Sequence, residues 1–130
     1  MGRALVCAIL LVACGGPSVP RAQLLANLRD AMDAPVTSAE AAARHSRTVQ
    51  EVVDADALQG LRRFEVEERI GRGDPCSRHP RCGELGFDSD DWFYGVGGLG
   101  DGYAGPVPSL IVGFDHHGVV VRVWNLRLHE

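Results

Sequence analysis

The chain has 130 residues, 45% of them apolar, and a formal charge of -4. That length holds one domain, and the charge supplies no basic field for nucleic acid. All 13 Lys and Arg positions are arginine, so chemistry that requires a lysine is excluded. The N-terminal residues 1–13 read as a secretory signal peptide: Arg3 supplies the basic start and Ala4 to Ala13 the short apolar run. That run falls short of the roughly 20 apolar residues of a membrane span.

The end of that run, Leu11-Val12-Ala13-Cys14, resembles the lipobox of bacterial lipoproteins. The resemblance implies cleavage before Cys14 and attachment of diacylglycerol and palmitate there. Each buried acyl methylene contributes about 0.8 kcal/mol, so two or three chains make a stable membrane anchor. Gly15 stands where inner-membrane retention uses aspartate, which implies an outer-membrane lipoprotein facing the periplasm of a Gram-negative bacterium. Residues 14–20, small and proline-rich, read as the lipidated tether.

Residues 21–56 read as an N-terminal helical region. Leu24, Leu25, Leu28 and Met32 recur at helical spacing between Pro20 and Pro35. Thr37-Ser38-Ala39-Glu40 has the spacing of a capping box with Thr37 as N-cap. The helix behind it has a thin apolar face, Ala41, Val49, Val52 and Val53, which predicts loose attachment or disorder.

Residues 57–130 read as an α+β domain, a two-layer sandwich of helix against a three-stranded antiparallel meander. Leu61, Val66 and Ile70 share the buried side of a short helix that Gly71 ends, with Phe64 also expected to pack on the sheet. The Gly-, Pro- and Asp-rich stretch from Gly71 to Asp91 reads as loop, its Asp88, Asp90 and Asp91 solvated. Asp-Trp-Phe-Tyr opens an aromatic strand, and two further strands meet at the turn Asp115-His116-His117-Gly118. In the last strand, strict alternation groups Val119, Val121 and Val123 on one face and Val120, Arg122 and Trp124 on the other.

From Leu58 to Val123 the order of these pieces is similar to the SmpA/OmlA (BamE-like) family of small outer-membrane lipoproteins. The carrying residues are Gly60-Leu61, Val66, Ile70-Gly71, the Trp92-Phe93-Tyr94 strand and Phe114-Asp115 to Gly118. The resemblance implies a non-catalytic accessory of outer-membrane β-barrel assembly or envelope integrity that binds protein partners. Arg62 departs from the pattern, standing where the family has a capping Thr or Ser. The same small fold serves elsewhere as an inhibitor module, so a periplasmic inhibitor or ligand-binding module is the alternative.

Cys7 leaves with the signal peptide and Cys14 carries lipid, so Cys76 and Cys82 are the two remaining thiols, in an oxidising compartment. Their C-x5-C spacing is neither that of zinc knuckles nor that of thioredoxin-like pairs. The reading is a disulfide closing a small surface loop, with Arg78, His79 and Arg81 at its tip. His116 and His117 read as turn residues, and no GxSxG, HExxH or P-loop is present. No catalytic residue, metal or cofactor is expected. Trp92, Phe93, Tyr94, Tyr103 and Trp124 are the candidate partner-binding residues, because aromatics anchor interfaces. Alternation sets Trp92 and Tyr94 on the face opposite Phe93, and leaves open which face meets the helices.

Overall fold

A computed structural model of the chain describes residues 18–126. The expected signal peptide 1–13, the expected lipobox with Cys14 and the first part of the expected tether lie outside the described residues. Among the described residues the fold is α+β, with helices α1 (Arg21–Asp33), α2 (Ala39–Asp54), α3 (Arg63–Ile70) and α4 (Pro80–Glu84). They accompany an open antiparallel sheet of β1 (Asp74–Pro75), β2 (Trp92–Gly95), β3 (Ser109–Phe114) and β4 (Val120–Leu126) in that order. None of the described helices is long and apolar enough to cross a membrane.

The N-terminal helices belong to the core. Leu24, Leu25, Leu28 and Ala31 of α1 are buried together with Val49 and Val52 of α2, Val66 and Ile70 of α3, and Leu110, Val112 and Phe114 of β3. The expected loose attachment of α2 is not observed. Its buried stripe is Ala41, His45, Val49 and Val52, with His45 filling the gap that made the apolar face look thin. The His45 Nδ1–H donates to the Val96 carbonyl at 3.0 Å, which satisfies a polar ring in the interior. Beside it Gly97 has φ +104°, and a Cβ there would lie 2.7 Å from His45 Nδ1 and 2.9 Å from the Ala34 carbonyl. Val36 then exchanges backbone hydrogen bonds with Gly98 and Gly100, at 2.7 and 2.9 Å, and ties the α1–α2 linker to the β2–β3 loop.

Helix ends depart from the sequence reading in two places. Ser38, not Thr37, is the N-cap of α2, its hydroxyl accepting from the Ala41 N–H at 3.0 Å. Glu40 consequently lies in the first turn and pairs with Arg44 at 3.5 Å. Arg62, which has only donors, cannot cap α3 with its side chain; the Glu65 carboxylate accepts from the Arg62 backbone N–H at 2.8 Å instead.

The sheet has one strand more than predicted. Asp74 and Pro75 pair with Phe93 and Trp92 at its margin, where a proline is tolerated because no further strand needs its N–H. On the helix side, Trp92, Tyr94, Leu110, Val112 and Phe114 complete the main core. On the other side, Ile111 and Phe87 pack with Cys76 and Cys82, flanked by Leu85 and Phe93. A Cβ on Gly113 would stand 3.0 Å from the Phe87 ring, so the missing side chain makes room for it. Covered on both faces, β3 is buried along its whole length.

The expected surface-loop disulfide is buried. Cys76 and Cys82 are bonded, with Cα atoms 5.7 Å apart, and both are buried by a short 3-10 turn (Cys76–Arg78) and α4 folding over the outer sheet face. Such composition has no periodicity to announce this, which is why the stretch read as loop. Replacing both cysteines by serine is expected to lower unfolding free energy by about 2 kcal/mol, the loop-closure term for so short a ring. Denaturant titration with and without reductant measures it; coincident curves would refute a stabilising role.

Candidate functional site

The five predicted binding aromatics divide by sheet face. Trp92 and Tyr94 lie on the helix-covered face and are buried, so the surface role expected of them is not available. The Trp92 ring meets Phe114 edge-on at 5.0 Å and Tyr94 at 6.5 Å. The Arg63 guanidinium lies 4.0 Å from the Phe114 ring centroid and 5.4 Å from that of Trp92, closing this end of the core. The Tyr94 hydroxyl donates to the Gly71 carbonyl at 2.8 Å. Burial first, then the nearby Glu67 carboxylate, pushes its ionisation well above the ordinary tyrosine range.

Phe93 points to the opposite face and carries His79 stacked on it at 3.9 Å and 12°. His79 is therefore drawn onto the sheet, not displayed at the loop tip, and its Nε2 reaches Asp74 at 3.4 Å. Arg78 and Arg81 are exposed as expected. Tyr103 is half-buried, its hydroxyl donating to the Pro106 carbonyl at 3.1 Å. Together with Ala42, Ala43, Arg47, Pro108 and Leu126 it lines a recess of about 510 Å³ between α2 and the end of β4.

Trp124 is the predicted anchor left open, 43% exposed on the outer face, and Val121 of the same strand is 55% exposed. Its position follows from a β-bulge. Gly113 pairs with Arg122 but Phe114 pairs with Val120, so Val121 is an extra residue in β4. Val120 and Val123 consequently both join the helix-side core, contrary to the strict alternation expected. Arg122 and Trp124, opposite Gly113 and Ile111, share the outer face. The Arg122 guanidinium lies 3.8 Å from the Phe87 ring centroid and donates to the Leu85 and Gly86 carbonyls.

Phe64, expected inside, is 61% exposed, because Arg63 takes the place over the aromatic core one helical step away. The buried Asp91 was missed in the sequence: its Oδ1 accepts from the Phe114 N–H at 2.9 Å and its Oδ2 from the Asp88 N–H at 2.8 Å. At the hairpin, Asp115 Oδ1 accepts from the His117 and Val119 N–H groups, at 2.8 and 3.0 Å. The Val119 hydrogen bond leads in holding the Asp115 carboxyl below its ordinary range, helped by that of His117 and by both histidine charges. His116 and His117 are exposed, and among the described residues no three His, Cys, Asp or Glu converge as a metal site.

The arrangement is a disulfide-braced domain with an apolar, partly open last strand. Compared with known proteins, the chain matches no family model, no curated protein and no solved structure.

Proposed function

We propose that this chain is a non-catalytic, lipid-anchored envelope protein, attached through Cys14, whose folded domain binds protein partners along β4. The carrying observation is Trp124, exposed with Val121 on a strand of an otherwise tightly packed sheet. Half-exposed tryptophans beside apolar surface are typical interface anchors. The buried Cys76–Cys82 bridge supports an oxidising compartment such as the periplasm. The order of motifs that resembles the SmpA/OmlA family favours an accessory of outer-membrane β-barrel assembly or envelope integrity.

Two measurements on the full-length tagged protein test this. Palmitate labelling is expected to disappear in Cys14→Ser; labelling that survives removes the anchor from the proposal. Extraction in mild detergent is expected to co-purify barrel-assembly components from wild type and lose them with Trp124→Arg. The recess beside Arg47 and Tyr103 favours a second reading, a periplasmic inhibitor or ligand-binding module. Recovery of a soluble envelope protein in place of assembly components would select it.

A further inference from the structure

We infer that β4 pairs antiparallel with β4 of a second copy of this chain, about a two-fold axis through Val123, joining two sheets into one. This rests on the reading of β4 as the contact surface and names its occupant.

The backbone of β4 is incompletely used. At its start, the Val120 N–H donates to the Leu61 carbonyl at 2.9 Å and the Val120 carbonyl accepts from the Gly60 N–H at 3.1 Å. From Val121 to Leu126, no backbone group bonds outside the β3 ladder among the described residues. In an edge strand half of the N–H and C=O groups point away from the sheet, a ready template for another strand.

Natural edges are blunted by lysine, proline, brevity or charge. The β1 edge has three of these, being short, carrying the exposed Asp74 and ending on Pro75. β4 spans Val120–Leu126 with no lysine or proline, and its bulge sits at the end already covered by Gly60 and Leu61. Its single charge, Arg122, is drawn back over Phe87 and bonded to the Leu85 and Gly86 carbonyls, so it does not guard the edge.

The sequence of the strand is compatible with its own reverse. Centring the antiparallel pair on Val123 sets Arg122 opposite Trp124 of the second copy, and the symmetry repeats that contact. Both residues lie on the outer face, so the indole packs along the arginine's apolar stem. The same register sets Val121 opposite Asn125. No like charges meet, and the two most exposed apolar side chains of the strand, Val121 and Trp124, are covered.

Sedimentation equilibrium of the full-length protein in density-matched detergent, across micromolar concentrations, is expected to give the dimer mass. Trp124→Arg opposes an arginine to Arg122 of the other copy, a contact that symmetry makes twice, and is expected to weaken the dimer about tenfold or more. Trp124→Glu, equally polar, faces Arg122 with an opposite charge and is expected to dimerise more tightly than Trp124→Arg. A monomeric wild type overturns the inference, as do arginine and glutamate variants of equal dimer affinity. If the wild type is monomeric while Trp124→Arg still abolishes capture of an assembly component, the proposed function stands and self-pairing alone fails. If neither mass nor capture responds to Trp124→Arg, both fail.

Discussion

Leu28→Ala is expected to destabilise the whole domain by about 3 kcal/mol, the usual range for a fully buried leucine replaced by alanine. Leu28 sits in the middle of α1, completely buried, where α1 packs against both α2 and α3. The lost methyl groups leave a void in the core cluster that Leu28 shares with Val49, Val52 and Val66, whose backbones are held by the neighbouring helices and cannot all move inward. For a domain of this size the loss corresponds to a melting-temperature drop of roughly 10 °C. Arg29→Ala, on the exposed side of the same helix, is expected to change stability by less than about 0.5 kcal/mol. Thermal unfolding followed by both far-ultraviolet circular dichroism and tryptophan fluorescence decides it. Trp92 lies on the sheet side of the core, so if α1 were only loosely attached the fluorescence transition would not move with Leu28→Ala. A shared, shifted transition means that the helices and the sheet unfold as one unit.

The parts of this fold that follow local rules were legible. α1 is bracketed by Pro20 and Pro35, Gly71 stops α3, and Asp115 with Gly118 frames the last hairpin; each acts within a few residues of itself. The two sides of the sheet were not legible, because alternation assigns parity and says nothing of which parity meets the helices. The Val121 bulge then breaks the parity within β4. Arg63 and Phe64 reversed expectation for a related reason: hydrophobicity favours the phenylalanine inside, yet the helix rotation presents Arg63 to the Trp92 and Phe114 faces, where a cation is favourable. His45 looked like a polar interruption in α2 and is a core residue, since its partner, the Val96 carbonyl, lies 51 positions away. The Cys76–Cys82 segment shows the same limit, its burial depending on Phe87 and Ile111 meeting it across the sheet. For the contact surface, composition pointed to five aromatics; packing withdraws Trp92 and Tyr94, covers Phe93 with His79 and leaves Trp124 most open.

Asp91→Ala is expected to cost about 3 kcal/mol, although the residue stands in an acidic run that reads as a solvated loop. Its two carboxylate oxygens do separate work. Oδ2 accepts from the Asp88 N–H and closes the turn before β2, while Oδ1 crosses to the Phe114 N–H at the end of β3. Phe114 is where the β3–β4 ladder shifts at the bulge, so its buried N–H depends on this acceptor. Removing the carboxylate leaves that donor without a partner in a place water does not reach, and the desolvation cost falls on the folded state. The Asp91 backbone carbonyl also accepts from the Cys76 N–H at 2.8 Å, so a displaced Asp91 disturbs the disulfide segment as well. Asp91→Asn is the informative companion. Its single carbonyl oxygen serves one N–H and its amide presents a donor to the other, so about half of the loss is expected. Asp90→Ala next to it removes only an exposed ion pair, Asp90 with Arg63 at 3.6 Å, and is expected to stay within about 1 kcal/mol of wild type. Urea titration of the three variants ranks them. If Asp91→Ala falls level with Asp90→Ala, the bond to Phe114 is not holding the bulge in place. If instead the order is alanine, then asparagine, then the Asp90 variant, one buried carboxylate fixes the register shift that puts Val120 and Val123 inside and leaves Trp124 at the surface.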